Sequence, residues 1–204
     1  MNMDGSVRLV VTGRGEALVL LPPAPHDGSF YDPLLPHLGA MMAVQVDYPG
    51  YGGSAAIPSP SIPAYADALA PHLPRRPWLV GFHTGNLVAA ELSRRIDVAG
   101  IVMIDVPFFD PATRRDYAAK FDDSPRNAAF HAAFAYDPDQ LTGLPCSVRL
   151  IATASTLQEP TRRAAAAMGA PLTQRIDVTA PVFEAHGDDM AAEIENAVRD
   201  MGNG

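Results

Sequence analysis

The chain has 204 residues, of which 48% are hydrophobic and 19% are charged. That is enough for one packed core and too little for two ordinary domains, so we expect a single domain over residues 1–204. The net charge of -8 comes from 23 acidic and 15 basic side chains and argues against nucleic acid as a partner. The sequence has neither an apolar run of roughly 18 residues nor the basic and apolar segments of a signal peptide. We therefore predict a cytoplasmic protein without membrane contacts.

Alternating apolar runs and helical patterns organise the chain. A glycine turn at 13–15 favours a hairpin between the first two strands. The later strands alternate with helices, which predicts a mostly parallel α/β sheet flanked by helices, with ligands at the carboxyl ends of the strands. In chain order the predicted elements are strands at 7–11, 17–21 and 41–46, a helix over 62–73, a strand at 78–80, a helix over 86–95, strands at 101–104 and 147–152, and helices over 160–168 and 189–201.

Residues 107–143 interrupt this alternation. They contain four prolines, two weak helical patches and a set of aromatic side chains. We interpret the segment as a small cap insertion over the ligand edge of the sheet. The aromatic residues either wall a pocket or form the inner face of the cap, and they do not identify a substrate. They are Phe108, Phe109, Phe121, Phe130, Phe134 and Tyr136.

The segment from Gly81 to Gly85 has the G-x-S-x-G spacing of a strand-turn-helix elbow, with His83 in the place of the serine. The glycines remove Cβ atoms that would collide between strand and helix. Histidine adopts positive φ more often than most residues, so it is sterically suited to the centre of the turn. The spacing therefore makes His83 the first candidate for chemistry.

Around this elbow the chain resembles the α/β-hydrolase superfamily over most of its length. Residues 13–24 are similar to the family's entry to the oxyanion strand, and Asp47-Tyr48-Pro49-Gly50-Tyr51-Gly52-Gly53-Ser54 is similar to its D-x-P-G-x-G-x-S loop. The elbow, the strand ending in Asp105, and Ala185-His186 before a final helix follow in the same order. The resemblance implies the α/β-hydrolase fold with a short, reduced cap.

The resemblance also implies site residues. The backbone N–H groups of Ala24 and Thr84 would form an oxyanion hole, although Pro22-Pro23 stands where the family has His-Gly. Because His83 replaces the serine, the ordinary acyl-serine route is lost. No cofactor is implied.

His186 matches the family's general base. The position of the family's aspartate is taken by Ser155 or Thr156, so the acid that would orient His186 stays open. Asp105 and Glu159 are equal candidates, and a third possibility is that neither acts. His83 and His186 are expected within hydrogen-bond reach, holding at most about one proton between them near neutrality. His26 would line the same mouth, or is a solvated loop residue.

Three functions remain open at this point. The first is an enzyme acting on a small apolar ester or carbonyl compound by His83/His186 acid/base chemistry, as a hydrolase or as a lyase or isomerase. The second is a catalytically degenerate pseudoenzyme that binds a small ligand or a partner. The third is a metal site of His83, His186 and one of His26, Asp105 or Glu159, although the sequence has no ligand-pair spacing such as H-x-x-x-H that would support it.

The oligomeric state is open. The single cysteine, Cys146, excludes an internal disulfide and is expected as a small buried side chain.

Overall fold

A seven-stranded sheet forms the centre of the protein, which a computed structural model describes over residues 7–203. Its order is β1-β3-β2-β4-β5-β6-β7, and only the pairing of β1 with β3 is antiparallel. Residues 1–5, used above to argue against a signal peptide, lie outside the described part. The strands are β1 (Leu9–Gly13), β2 (Glu16–Leu21), β3 (Met41–Val46), β4 (Trp78–Phe82), β5 (Gly100–Ile104), β6 (Val148–Thr153) and β7 (Leu172–Arg175).

Helices cover both faces of the sheet. One face packs against α1, α2 and α5, and the other packs against α6. Since both faces are covered, β4 and β5 are buried along their whole length. No helix among residues 7–203 has the length and apolar character needed to cross a membrane. The helices are α1 (Ile62–Leu69), α2 (Gly85–Ser93), α3 (Pro111–Ala118), α4 (Ala128–Ala135), α5 (Gln158–Met168) and α6 (Val182–Gly202).

The predicted mostly parallel sheet is confirmed, but the hairpin between the first two strands is wrong. β3 lies between β1 and β2, and it pairs with β1 in antiparallel register and with β2 in parallel register. Gly15 has a φ of +122°, and a Cβ there would lie 2.1 Å from the Ala40 carbonyl oxygen. The glycine turn therefore lets the chain pass against the start of β3 instead of folding β1 onto β2.

One strand was missed, and the bounds of two helices differ from the prediction. The strand β7 was missed because Thr173 and Gln174 interrupt any apolar run in this edge strand. The last helix begins at Val182 and not at 189, because Val182 and Phe183 are buried against the sheet. The helix α1 ends at Leu69 and continues only as a 3₁₀ turn over Ala70–His72.

Residues 107–143 form the two short helices α3 and α4 with connecting turns, and tyrosines attach them to the main body. The Tyr51 hydroxyl accepts a hydrogen bond from the Ala129 N–H (2.9 Å) and donates to the Arg126 carbonyl (3.0 Å). The Tyr136 hydroxyl donates to Oε1 of the buried Glu91 (2.8 Å). The aromatic residues of the segment stack on one another, in the pairs Phe109/Tyr117, Tyr117/Phe134 and Phe121/Phe130.

The Asp47 carboxylate joins three separate parts of the chain. Its side chain is buried, and Oδ1 accepts the Gly28 N–H (2.9 Å) from the loop after β2. Oδ2 accepts the Gly53 N–H (2.8 Å) from the loop after β3 and a bond from Nη1 of Arg8 (3.0 Å). A buried carboxylate with all these donors fixes the loops at the carboxyl edge of the sheet.

We predict that Asp47→Asn lowers the free energy of unfolding by about 2–3 kcal/mol, because an amide cannot accept from both N–H groups and leaves one buried donor unpaired. Urea denaturation followed by circular dichroism measures the change. Asp67→Asn is the control, because it removes an exposed partner of Arg95 and costs less than about 1 kcal/mol. Equal losses in the two variants would contradict the role given to Asp47.

Candidate active site

The elbow between β4 and α2 places His83 at the carboxyl edge of the sheet. His83 has a φ of +50°, and its N–H donates to the carbonyl of Ile104 (3.1 Å) at the end of β5. A Cβ on Gly81 would lie 2.6 Å from the backbone nitrogen of Asn86, and one on Gly85 would lie 2.1 Å from the Leu21 carbonyl oxygen. The turn therefore needs glycine on both sides of the left-handed histidine.

Asn86 holds this elbow against β5. It is fully buried, and its Nδ2 donates to the Ile104 carbonyl (2.8 Å) while its Oδ1 accepts the Ile104 N–H (3.2 Å). Its backbone N–H also donates to the His83 carbonyl (3.1 Å). Sequence reasoning missed this residue, although an amide side chain inside an otherwise apolar helix start is the signal that could have found it.

Asp105 lies beside His83 at the end of β5. It is fully buried and has a φ of +50°. Its Oδ1 accepts the Thr153 N–H (2.8 Å) and its Oδ2 accepts the Thr153 hydroxyl (2.6 Å). The Nε2 atom of His83 lies 3.9 Å from Oδ2 of Asp105, which is ion-pair range and longer than a hydrogen bond. Thr153 orients the carboxylate and was not among the predicted site residues.

The surroundings of His83 favour its neutral form. Burial lowers the pKa of the imidazole from 6.5 to about 4, the charge of Asp105 opposes this shift, and the charge of His26 adds to it. The ring stacks on Phe82 with centroids 4.2 Å apart, yet 39% of its side chain stays exposed. His83 is therefore an uncharged imidazole with one open edge at neutral pH.

Aromatic rings connect His83 to His26. The ring of His26 lies 5.1 Å from Phe30, and Phe30 lies 5.3 Å from Phe82, on which His83 stacks. Phe183, in the first turn of α6, packs against both phenylalanines at 5.5 and 5.6 Å. His26 itself is exposed. The structure thus places His26 and His83 at the same aromatic cluster.

His186 does not join this group. It lies at a kink inside α6, with φ -136° and ψ 32°, and its Nε2 accepts the Thr179 N–H (3.3 Å). Its charge acts on Asp177, a carboxylate that also binds Arg175. The expected hydrogen bond between His83 and His186 is absent from the hydrogen bonds of residues 7–203. The His186 ring instead accepts the Thr179 N–H, at a kink of α6 where the backbone angles of His186 are non-helical.

The two candidate acids also have different surroundings from those expected. Glu159 lies in the exposed first turn of α5 and pairs with Arg162 (3.2 Å). Within the described residues it contacts neither His83 nor His186. Asp105 faces His83, so the acid of the site stands next to the elbow histidine and not next to His186.

One of the two predicted oxyanion donors, the Ala24 N–H, is already occupied. The N–H of Ala24 donates to the hydroxyl oxygen of Thr84 (2.6 Å), and both residues are buried. The N–H of Thr84, just before α2, has no acceptor among the described residues. A hole made of the two free amides is therefore not present in this conformation.

Other features of the described part lie away from the elbow. No three His, Cys, Asp or Glu side chains of residues 7–203 gather closely enough to hold a metal ion. A cavity of about 410 Å³ lies at the opposite end of the sheet, where Val148 begins β6 and Met168 ends α5. Cys146 lines it, half-buried, and burial raises the pKa of its thiol.

Comparison with solved structures shows the α/β-hydrolase fold. A hydrolase from Oleispira antarctica superposes with a TM-score of 0.80 at 14% identity, covering 96% of this chain and 95% of that one. A thermophilic esterase from Thermogutta terrifontis gives 0.74 at 17% identity, covering 96% and 94%. A lipase-esterase related protein from Clostridium acetobutylicum gives 0.75 at 17% identity, covering 93% and 98%. The predicted fold is confirmed.

Sequence comparison gives a match over only part of the chain. No family model matches the chain. The biotin biosynthesis bifunctional protein BioHC of Cellvibrio japonicus (strain Ueda107) is 30% identical over 116 residues. The match covers 50% of this chain and 23% of that protein, so it spans about a quarter of the relative's length.

We predict that the His83 imidazole titrates with a midpoint of about 4, because burial disfavours its charged form. Asp105→Asn lowers this midpoint further, since it removes the negative charge that favours the imidazolium. NMR of the histidine ring signals measures both values, with His83→Asn assigning the signal. Asp67→Asn, on the exposed surface, leaves the midpoint unchanged. A midpoint near 6.5 in the unaltered protein would contradict the described environment.

Proposed function

We propose that this chain is an enzyme that hydrolyses a small apolar ester or related carbonyl compound without a serine nucleophile. The observation that carries the proposal is the position of the His83 imidazole, held on the elbow with Nε2 3.9 Å from Oδ2 of the buried Asp105. In place of the expected His83/His186 pair, the proposal uses His83 as the base and Asp105 as the acid that orients it. His26 lies close enough to influence the charge of His83.

The chemistry follows from the two nitrogens of the ring. With the proton on Nε2, the nitrogen nearer Asp105, Nδ1 carries the lone pair that can take a proton from water. The resulting hydroxide attacks the carbonyl carbon, and the Asp105 charge stabilises the imidazolium that forms. When the carbon–oxygen bond breaks, the imidazolium returns its proton to the leaving alkoxide. Ester and water thus give acid and alcohol, and no acyl group is attached to the protein.

Hydrolysis is favoured over lyase or isomerase chemistry by the solved neighbours that are described as esterases and a hydrolase. The same His83 could instead move a proton within a bound carbonyl compound, which needs no attacking water. The rings of Phe30 and Phe82, which lie against the His26 and His83 imidazoles, support an apolar substrate. A cytoplasmic location and the cap interpretation of 107–143 remain predictions from the sequence.

A second candidate is a binding protein that keeps the fold without catalysis. It is favoured by one observation, the bond between the Ala24 N–H and the Thr84 hydroxyl, which occupies a donor that the family's esterases would use. On this alternative the mouth near His83 holds a small apolar ligand or a partner and leaves it unchanged.

We expect His83→Asn to lower kcat/KM by about 10²–10⁴-fold, the usual contribution of a general base. Asparagine also tolerates positive φ, so the elbow is kept while the imidazole is lost. Asp105→Asn gives a smaller loss, because the base remains but its imidazolium loses its counter-charge. The measurement is the turnover of 4-nitrophenyl acetate, butyrate and hexanoate at pH 7.5.

His37→Gln is the matched control, because His37 is exposed and outside the group around the elbow, and its turnover stays at the unaltered level. Circular dichroism shows whether each variant is folded. Full activity of folded His83→Asn would refute the proposed base. A protein that turns over none of the esters yet binds them unchanged would support the binding alternative.

A further inference from the structure

The hydroxyl of Thr84 has an unused proton. Its oxygen accepts the Ala24 N–H at 2.6 Å, and a hydroxyl can accept and donate at the same time. Among the hydrogen bonds of residues 7–203, none uses this hydroxyl as a donor. The residue is 9% exposed, so a donor that is nine-tenths buried lies next to the elbow without an acceptor.

The place of this hydroxyl in the fold is specific. Ala24 follows β2, and Thr84 lies between His83 and the first residue of α2. The backbone N–H of Thr84 also lacks an acceptor in the described part of the chain. Thr84 therefore offers two donors, its amide and its hydroxyl, within one residue of the proposed base, at the positive end of the α2 dipole.

We propose that the Thr84 hydroxyl, and not the Ala24 amide, donates to the carbonyl oxygen of the substrate; this inference rests on the proposed hydrolase function. The Ala24 N–H polarises the hydroxyl by donating to its oxygen, and hydrogen bonds in such a chain strengthen one another. As negative charge develops on the carbonyl oxygen, the Thr84 hydroxyl and amide both donate to it. No proton is transferred, and the hydroxyl stays protonated throughout.

The arrangement fits the change from serine to histidine. A serine oxygen attacks a carbonyl directly, whereas an imidazole on the elbow needs a water molecule between itself and the carbonyl carbon. The carbonyl must then lie farther out from the elbow. The Thr84 hydroxyl accepts the Ala24 N–H at 2.6 Å and belongs to the residue next to His83, so it can donate in place of the occupied Ala24 amide.

Two substitutions at Thr84 test this role. Thr84→Val keeps the branched shape and removes the hydroxyl, and we expect kcat to fall by about 10²–10³-fold, as for the loss of one oxyanion donor. KM changes little, because the interaction strengthens only in the transition state. Thr84→Ser keeps the hydroxyl and retains most of the activity. Turnover of 4-nitrophenyl butyrate gives both constants, and thermal melting shows that each variant is folded.

Binding of methyl phenylphosphonate, a stable tetrahedral anion, gives a readout that does not depend on turnover. Calorimetry should show similar affinity for the unaltered protein and Thr84→Ser, and a loss of affinity in Thr84→Val comparable with its loss of kcat. Unchanged kcat and affinity in Thr84→Val would overturn the inference and leave the hydrolase proposal standing. Faster turnover in Thr84→Val would also overturn it, because the hydroxyl would then be blocking the Ala24 amide.

If the unaltered protein does not turn over esters, the hydrolase proposal and the donor role of Thr84 have different outcomes. In that case the hydrolase proposal fails, and the phosphonate alone decides the role of Thr84. Weaker phosphonate binding by Thr84→Val than by Thr84→Ser supports the donor. Equal binding by the two variants overturns it.

Discussion

The left-handed backbone of His83 is the constraint on which the site depends. It requires glycine at 81 and 85, because a Cβ at either position would overlap neighbouring backbone atoms. The turn is held to β5 by the bonds of Asn86 with Ile104. Because β2, β4 and β5 pair in parallel, their carboxyl ends lie at one edge of the sheet, and the turn at His83 lies at that edge. The Ala24 amide, the His83 ring and the Asp105 carboxylate become neighbours as a result.

With an imidazole on the elbow, the side chain of residue 83 lies next to Asp105. His83 reaches toward Asp105 directly, and Thr153 fixes that carboxylate through both of its oxygens. The first turn of α6 contributes Phe183 to the aromatic cluster around Phe82, while His186 accepts the Thr179 N–H. The candidate site is therefore a pair of side chains that follow adjacent strands, and the proposed mechanism with water in place of a serine depends on this pair.

The features of this molecule that depend on local chemistry could be predicted from the sequence. The glycine spacing around His83, the strand at 41–46 and the alternation of strands and helices all depend on backbone sterics or apolar periodicity, and the structure has them. The features that depend on contacts between residues distant in the chain could not be predicted in this way. The pairing of β1 with β3, the bond from Ala24 to Thr84 and the clamp of Thr153 on Asp105 link residues far apart in the chain. The expected bond between His186 and His83 is not among the hydrogen bonds of residues 7–203, because the His186 ring is bonded to the Thr179 amide, a contact that the sequence pattern does not show.

The most direct test of the central claim, that His83 and Asp105 alone supply the base, is ester turnover by His83→Ser compared with the unaltered protein. We predict that this variant is inactive, because it removes the imidazole next to Asp105 and the His186 ring is bonded to the Thr179 amide. Gain of esterase activity in His83→Ser above the unaltered protein would contradict it. That result would mean that His186 serves position 83 as a general base and that an ordinary serine site lies one substitution away.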